Sequence, residues 1–448
     1  HFEAVESFVW PLLILLIIGT VAGAPLYVTI GGAALIMNWG WGGYFPEERV
    51  EIAINTQAQT LYSFIRNPLL VTLPLFTLAG YFLAQGDSSK RLIRLIQSVF
   101  GGVRGGAVIV TVVVCAFFTT FTGASGVTIL ALGGLLMPVL QSAGYSERSS
   151  IGMLTGAGSL GILFPPCLPL ILYAVVATNT QLVSLSLKDV FLGGAIPGTL
   201  LVLMTIGWGM WNQPKFEGER SPLDWNEIRK AFVGALGELL LPVLTLFALF
   251  SGYATPIEAA SVSAFYAFLL YLVDAHWVRN ANIRTELPKM VSECGLLVGG
   301  VLLILGVAMG LTDYLIFAMI PDQMVEWAQA TIESKYVFLL ALNGTLILVG
   351  CLMDIFSAII VIVPLIVPLG VVFGIHPVHL GIIFLANLQL GYLTPPIGMN
   401  LFLASYRFGK PMSEVIRASL PLLIVFAIGV LLITYVPILT TWLPDLFQ

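Results

Sequence analysis

The chain has 448 residues, of which 58% are hydrophobic and 10% are charged, and its formal net charge is −5. Soluble domains carry about 25% charged residues, so this composition excludes a soluble globular protein. Apolar runs of the roughly 20 residues that a membrane helix requires recur from Phe8 to Leu439. We therefore predict an all-α polytopic membrane protein.

Signatures of enzymes and of ATP use are missing from the sequence. There is no HExxH or GxxxxGK[ST] motif, and Ser125 lacks an obvious base. We therefore expect neither an intramembrane enzyme nor an ATP-binding chain, and nucleic acid is not among the expected partners. Metal-ligand spacing is also absent from the four cysteines, which lie scattered in apolar segments: Cys115, Cys167, Cys294 and Cys351.

In chain order, the first half (1–211) begins with scaffold helices. The run 8–37, interrupted at Gly23, predicts two short helices, and 68–84 predicts a crossing. A basic loop at 85–104 follows. The half then continues with an uncharged re-entrant hairpin at 105–141, a broken helix at 150–177 and a crossing at 189–211.

The chain is organised around this broken helix, which reads LTGAGSLGILFPPCLP from Leu154 to Pro169. Glycine weakens a helix, and an internal proline removes a backbone hydrogen bond. Broken backbone at membrane depth is tolerated only where it lines a cavity or binds a ligand. The sequence therefore predicts a binding function for this segment.

The second half (238–448) follows a polar, cytoplasmic linker at 212–237. It predicts scaffold helices up to 311 and an acidic loop at 312–335. The half then continues with a re-entrant hairpin at 336–373, a second broken helix at 379–406 that contains NLQLGYLTPPIGM, and a last crossing at 415–437.

A shift of 230 residues superposes the two broken helices in sequence. Chance rarely aligns prolines and glycines in register, so the chain predicts two copies of one unit. The aligned pairs are Pro138 with Pro368, Gly144 with Gly374, Leu160-Gly161 with Leu390-Gly391, and Pro165-Pro166 with Pro395-Pro396.

The loop charges predict that the two copies are inverted. The loop at 85–104 carries four basic residues, whereas the counterpart near 313–335 has four acidic residues and Lys335. Cytoplasmic loops are enriched in Lys and Arg, so equivalent loops lie on opposite sides. This topology puts 15 of the 19 Lys and Arg residues inside. The first hairpin then opens from the cytoplasm and the second from the periplasm.

Three segments together resemble a known family. Residues 154–173, 255–260 and 387–401 are similar to the large membrane (M) subunit of tripartite ATP-independent periplasmic (TRAP) transporters, and the similarity covers nearly the whole chain. The resemblance implies an inverted-repeat, elevator-type, Na⁺-coupled importer of an organic acid in the bacterial or archaeal cytoplasmic (inner) membrane. It also implies a periplasmic substrate-binding protein and a small membrane subunit, either separate or fused at the N-terminus.

We predict two Na⁺ sites, one at each pairing of a hairpin tip with a helix break, because carbonyls and hydroxyls can replace the hydration shell of the ion. The first site comprises Gly123, Ser125, Thr128, Gly156, Gly158, Ser159 and Gly161. The second comprises Asp354, Ser357, Asn387, Gly391 and Thr394. Residues predicted to face the organic anion are Ser125, Ser159, Pro165, Pro166, Asp354, Gln389, Pro395 and Pro396.

Structural alternatives stand beside these assignments. The small residues of the first site are also what close helix packing requires. Asp354 is an intramembrane carboxylate and thus a functional candidate, with a place at the polar mouth of its hairpin or against a partner subunit as the alternatives. Gln389 faces either the substrate or the broken backbone. Glu258 reads as part of a capping box with Thr255.

Other polar residues are given structural or interfacial roles. His376 and His379 are expected in a surface loop at the membrane interface. The basic cluster Lys90, Arg91 and Arg94 is expected to set the topology and to meet anionic headgroups.

Two other functions remain open at the level of sequence. One is a stand-alone divalent-anion/Na⁺ symporter of similar hairpin architecture, which needs no binding protein. The other is an ion channel, since inverted repeats alone do not exclude one.

Overall fold

The computed structural model describes residues 2–21, 24–41, 54–55, 58–59, 61–62, 65–66, 68–85, 87–213, 224–251, 253–278 and 282–447. These residues form helices and, within the described ranges, no strand. Within the described ranges, seven helices are long and apolar enough to cross a membrane, or nine if each of two bent helix pairs forms one span. The all-α fold class is therefore confirmed, whereas the predicted interruption at Gly23 lies outside the described residues.

The first half contains nine α-helices and two short 3₁₀ turns among its described residues. The 3₁₀ turns are Pro68–Val71 and Leu160–Leu163. The helices are α1 (Phe2–Val21), α2 (Leu26–Trp41), α3 (Thr72–Gln85), α4 (Ser88–Phe100), α5 (Gly106–Thr122), α6 (Ser125–Ser142), α7 (Glu147–Ala157), α8 (Leu168–Asn179) and α9 (Leu187–Trp211).

Among the described residues, the linker and the second half contain a π-helical turn, Asp274–Val278, and eleven α-helices. The α-helices are α10 (Trp225–Gly234), α11 (Leu236–Phe250), α12 (Pro256–Val273), α13 (Ile283–Phe317), α14 (Ile320–Thr331), α15 (Lys335–Leu352), α16 (Ile355–Val372), α17 (Pro377–Gly391), α18 (Met399–Phe408), α19 (Met412–Tyr435) and α20 (Ile438–Leu446).

Two helical hairpins have the positions that the sequence predicts. In the first, α5 and α6 are joined by Gly123 and Ala124, and Gly123 has a φ of 66°, a conformation that favours glycine. In the second, α15 and α16 are joined by Met353 and Asp354. The bounds of α16 are those of α6 shifted by 230 residues, as the repeat predicts.

Both predicted broken helices are present. In the first, α7 and the 3₁₀ turn are bent by 46° relative to α8. In the second, residues 392–398 interrupt the helix between α17 and α18. Each break contains a cis Pro-Pro peptide bond, at Pro165-Pro166 and at Pro395-Pro396.

The hairpins and broken helices of the two copies pack reciprocally. Helix α6 packs against α18, and its counterpart α16 packs against α8. Likewise α7 packs against α19, and α17 packs against α9. Each hairpin thus packs against the broken helix of the other copy, as expected when the two copies are related by a two-fold axis. Residues 168–177 of α8 and 378–391 of α17 are buried throughout, so the broken helices form the centre of the main core.

A second, smaller core lies between α3, α12 and the start of α13. It contains Phe82, Ala267, Tyr271 and Met290. Helix α3 reaches the first hairpin through Gly80, which packs against the backbone of Phe121.

Two predicted loops are wrong, because each contains a helix. The basic loop at 85–104 contains α4, and the acidic loop at 312–335 contains α14 as well as the end of the long helix α13. The linker at 212–237 also contains a helix, α10. Hydropathy alone misses such helices, because their charged faces lower the mean while one apolar face packs on the protein.

Within the basic cluster of α4, Arg91 forms an ion-pair network inside the protein, whereas the side chains of Lys90 and Arg94 are exposed, and their contact with lipid headgroups stays a prediction. Arg91 donates from Nε to Glu238 at 2.8 Å and pairs with Asp274 at 2.6 Å. Both carboxylates are almost fully buried. Burial lowers the pKa of Arg91, but its bonds to Asp274 and Glu238 raise the pKa above its ordinary value. The network fixes α4 to the ends of α11 and α12.

His379 is buried in α17, so its predicted place in a surface loop is wrong. Its Nδ1 lies 2.8 Å from Thr440 Oγ1, and its Nε2 lies 3.2 Å from the carbonyl oxygen of Thr434. The predicted capping box is present, since Thr255 and Glu258 hydrogen-bond each other's backbone amides.

Candidate functional site

Threonine hydroxyls join the first hairpin to the first helix break. Thr119 Oγ1 lies 2.7 Å from the carbonyl oxygen of Gly158 and 2.7 Å from Thr128 Oγ1. Thr120 Oγ1 lies 3.3 Å from the carbonyl oxygen of Gly161. Because these groups are buried, hydroxyl and carbonyl oxygens are concentrated between the tip and the break.

The close approach of the two segments requires glycine at position 161. A Cβ there would overlap the carbonyl oxygen of Ala116 and the amide of Thr120, and it would lie 2.7 Å from Thr119 Cβ. The shifted counterpart is Gly391, whose added Cβ would lie 2.6 Å from Gly350 Cα. The same contact therefore occurs in both copies.

The remaining residues of the predicted first site lie at the hairpin tip, at the helix break and at the end of α7. Gly156 lies in the last turn of α7, and its carbonyl accepts a bond of 3.2 Å from Ser159 Oγ. Gly123 forms the hairpin tip, and its added Cβ would lie 2.7 Å from Leu168 Cβ. Ser125 begins α6, and its buried hydroxyl has no hydrogen-bond partner among the described residues.

The second tip is built around a carboxylate. Asp354 caps α16, and its Oδ1 accepts bonds from the amides of Phe356 at 2.9 Å and Ser357 at 3.1 Å. Its Oδ2 accepts a bond from the hydroxyl of Ser357. The amide of Ile355 donates to the hydroxyl of Tyr392 at 2.6 Å. Asp354 thus lies at the tip of the hairpin and not at its mouth.

The side-chain bond of Asn387 points away from the second tip. Its Nδ2 donates to Asn343 Oδ1 at 2.7 Å, and that oxygen also accepts a bond from Thr434 Oγ1 at 3.1 Å. Asn343 lies nine residues before the end of α15, about 13 Å along the helix axis. Asn387 itself lies one turn before Gly391 on α17, and its assignment to the second Na⁺ site stays a prediction.

The residues predicted to face the substrate differ in exposure. Pro166 is buried and Pro165 is half-buried, whereas Pro395 and Pro396 are exposed. Gln389 is fully buried, and both its amide atoms lack a hydrogen-bond partner among the described residues. Thr394 lies within the second break, and its hydroxyl donates a bond of 3.0 Å to the carbonyl of Leu390 in the last turn of α17.

Three residues of the site are missing from the sequence prediction: Thr119, Thr120 and Tyr392. The threonines lie four and three residues before Gly123 of the first tip, and Tyr392 directly follows Gly391. Proximity to the breaks is therefore the signal that indicates them.

Comparison with known proteins identifies this architecture. The family model described as "Tripartite ATP-independent periplasmic transporter, DctM component" matches residues 10–439. The chain belongs to this family. It is accordingly the large permease subunit of a TRAP transporter, an integral membrane protein and not an enzyme.

Curated relatives support this family assignment, and a solved structure has a similar fold. The chain is 32% identical to the C4-dicarboxylate TRAP transporter large permease protein DctM of Vibrio cholerae, over 98% of each protein. It is 28% identical to the isethionate TRAP transporter permease protein DctMQ of Oleidesulfovibrio alaskensis, over 93% of this chain and 63% of that protein. The fold is similar to the YdaH transporter of Alcanivorax borkumensis, with a TM-score of 0.64, 15% identity and coverage of 87% and 88%.

Proposed function

We propose that this subunit imports an organic acid together with Na⁺ by an elevator motion in the bacterial cytoplasmic membrane. A periplasmic binding protein delivers the acid, and a small membrane subunit, separate or fused, completes the complex. The observation that carries the proposal is the pairing of each hairpin tip with a helix break, through Gly161 in one copy and Gly391 in the other.

The oxygen atoms at the two tips support Na⁺ as the co-transported ion. Hard cations prefer oxygen ligands, and helix breaks present carbonyls that can replace a hydration shell. At the first tip the candidate ligands are hydroxyls and carbonyls, such as Thr119 and Gly158. At the second tip the carboxylate of Asp354 adds a negative charge.

The two cores support an elevator motion. The broken helices and both hairpins lie together in the main core, whereas the C-terminal part of α3 and most buried residues of α12 lie in the smaller one. Helices α4 and α14 connect the scaffold to the first and second hairpin, respectively. A rigid movement of the broken helices and hairpins relative to α3, α12 and α13 would carry both tips together, with the re-entrant hairpins inverted relative to each other.

The names of the relatives support an anionic cargo. One relative is named for C4-dicarboxylates and another for isethionate, a sulfonate. The shared chemistry is a small organic molecule with an oxyanion group. The DctMQ relative is longer than this chain, which accords with a second subunit that is fused in some members.

Uptake by proteoliposomes tests the proposal. The chain is reconstituted with its small subunit, and radiolabelled succinate or isethionate is supplied with the binding protein under an inward Na⁺ gradient or an equal K⁺ gradient. We expect uptake only with Na⁺ and only with the binding protein. Equal uptake in K⁺ would contradict Na⁺ coupling, and uptake of free acid would favour the stand-alone symporter. Single-channel conductance would instead indicate a channel.

A further inference from the structure

Helices α6 and α18 run side by side, away from the candidate site. Gly126 lies against Leu403 and Gly133 against Phe408, so the two helices are parallel. Helix α6 begins at the first hairpin tip, and α18 begins where the second break ends. The topology that the loop charges predict places the other end of both helices at the cytoplasm. This pair of helices therefore connects the site with the cytoplasmic side.

The side chain of Arg407, near the end of α18, lies across α6 on two consecutive glycines. A Cβ at Gly133 would lie 3.4 Å from Arg407 Cγ, and a Cβ at Gly134 would overlap Nη2 of the guanidinium. Gly133 is buried and Gly134 is exposed, so the side chain extends from the packed face of α6 to its open face. Gly134 lies nine residues after Ser125, the first residue of α6, or about 13 Å along the helix axis. The two glycines leave the space in which the cation lies.

The charge of Arg407 is not neutralised within the described part of the protein. The neighbouring Lys410 pairs with Glu147 at 3.0 Å, whereas Arg407 has no ion pair with any of the described residues. Arg407 is also exposed, so a ligand in solution can reach its guanidinium. A positive charge that lines an open surface attracts anions and raises their rate of association.

The open face of α18 leads from the second break to Arg407. Residues 395–397 are exposed at the break. Phe402 and Tyr406 are 59% and 79% exposed, and their spacing of four residues puts them on one face of the helix. Arg407 directly follows Tyr406. An anion that leaves the second break along this face therefore meets the guanidinium before it reaches the cytoplasm.

The other copy of the repeat has neither the glycine pair nor the cation. The counterparts of the two glycines, after the shift of 230 residues, are Val363 and Pro364, and the counterpart of Arg407 is Ala177. All three are buried. The positive charge thus occurs on only one of the two equivalent helix pairs, the pair that the topology assigns to the cytoplasmic side.

We propose that Arg407 attracts the carboxylate or sulfonate group of the cargo on the cytoplasmic side of the second break, as a residue of the exit path and not of the site itself. The inference rests on the proposed function in taking an organic anion as the cargo and in the orientation of the chain. On the periplasmic side a binding protein delivers the cargo, which accords with the lack of a matching cation in the other copy.

The rate at which an acid associates with the complex tests this assignment. Radiolabelled succinate, or isethionate if the wild type does not bind succinate, is mixed with the detergent-solubilised complex and followed by rapid filtration. The Na⁺ concentration is constant while choline chloride is varied. Electrostatic attraction raises association rates by about 10–10³-fold and weakens steeply with ionic strength. We expect Arg407→Gln to slow association about tenfold at low salt and to remove most of the salt dependence, and Arg407→Lys to keep both.

The matched control is Arg229→Gln, which removes the same charge from an exposed arginine of α10 and is expected to keep the wild-type rate and salt dependence. The double variant Tyr406→Arg/Arg407→Gln returns a charge to the same turn of α18 and is expected to restore both. Size-exclusion profiles and Tm show which variants are folded. If Arg407→Gln does not fold, Tyr406→Arg alone adds a second charge to the open face and is expected to speed association, and an unchanged rate would overturn the inference.

The outcomes separate this inference from the proposed function. A wild-type rate and salt dependence in folded Arg407→Gln would overturn the inference, and stabilisation by phosphatidylglycerol that only this variant loses would then assign Arg407 to lipid headgroups. Equal slowing in Arg229→Gln would also overturn it, because the effect would then reflect the total charge of the cytoplasmic surface. Slower association in Arg407→Gln alone, together with Na⁺-independent uptake, would uphold the exit path and contradict Na⁺ coupling. Binding of neither acid by the wild type would contradict both.

Discussion

In each copy of the repeat a hairpin packs against a helix break. The backbone contact is equivalent in the two copies, but the polar side chains around it differ. Gly161 and Gly391 make equivalent close contacts with the facing hairpin arm. Thr119 and Thr120, which bond the first break, have Val349 and Gly350 as their counterparts. The carboxylate of the second tip has Ala124 as its counterpart. The repeat therefore conserves the path of the chain, while each copy carries its own chemistry.

The two pairings also differ in exposure. Residues 151–163 of the first broken helix are buried without interruption, whereas Pro395, Pro396 and Ile397 of the second break are exposed. In this conformation the second break is the more accessible one. A two-fold repeat therefore need not give two equal sites, because the side-chain oxygens and the solvent exposure of each break vary independently of the backbone.

The largest expected effect comes from adding a side chain at the close contact between hairpin and helix break that occurs in each copy. Gly161→Ala places a methyl group on the backbone of Ala116 and Thr120, and Gly391→Ala places one on Gly350. Because backbone cannot move aside cheaply, we expect both variants to lose Na⁺-dependent uptake, with a lower Tm of the complex. The measurement is proteoliposome uptake together with a melting curve.

The matched control is Gly207→Ala in α9, where an added Cβ meets nothing within 4 Å. Alanine is favoured over glycine in a helix by about 1 kcal/mol, so this variant is expected to keep its uptake and its Tm. If Gly391→Ala keeps full uptake while Gly161→Ala loses it, then the two contacts are not functionally equivalent.

The positions of the breaks and tips could be predicted from the sequence because glycine and proline act locally. A proline or glycine changes the backbone at its own position, so Pro165-Pro166 and Pro395-Pro396 mark their breaks without knowledge of the neighbours. The 230-residue register then places both hairpins. The amphipathic helices α4 and α14 were missed, because their charged faces resemble loops in a hydropathy scan.

The hydrogen-bond partners could not be predicted, because they depend on packing between distant segments. Thr119 bonds a carbonyl 39 residues away, and Arg91 reaches Glu238, which is 147 residues away. Asn387 bonds Asn343, which is 44 residues away, and Asn343 also bonds Thr434. The sequence places Asn387 one turn before Gly391 but does not reveal these partners.

The helices that lead into the two hairpins, α4 and α14, also differ, and a change in α4 is expected to have the next largest effect. Helix α4, which leads to the first hairpin, is fixed by Arg91 to Glu238 and Asp274. No ion pair to α14, which leads to the second hairpin, is found among the described residues. Arg91→Met removes the cation that pairs with both Glu238 and Asp274, two almost fully buried carboxylates, so we expect destabilisation by about 3–5 kcal/mol. The measurement is denaturant or thermal unfolding of the purified subunit.

The control for Arg91 is its neighbour Lys90, which pairs with Asp87 at the surface. Surface ion pairs contribute about 0–1 kcal/mol, so Lys90→Met is expected to be nearly neutral. Equal stability of the Arg91 and Lys90 variants would show that α4 is not anchored through this network.

A smaller effect is expected at the first break from Thr119→Val. This change preserves the shape of the side chain but removes the hydroxyl that bonds Gly158 and Thr128. An unsatisfied buried partner costs about 1–3 kcal/mol, so we expect lower stability and a weaker Na⁺ dependence of uptake. Thr119→Ser is expected to restore both. Thr199→Val is the control, because the hydroxyl of Thr199 is exposed and bonds only its own helix.

The smallest effect is expected from Asn387→Leu. This variant tests whether Asn387 belongs to the second Na⁺ site. Asn343 Oδ1 keeps its bond from Thr434 when Asn387 is replaced, and the unpaired Oδ1 of Asn387 is removed. An apolar side chain of similar size is then nearly neutral, so stability should change by about 1 kcal/mol or less. The Na⁺ concentration for half-maximal uptake should also stay the same. A large shift in that concentration would instead make Asn387 a ligand of the ion, and the second site would have to extend along α17 away from its tip.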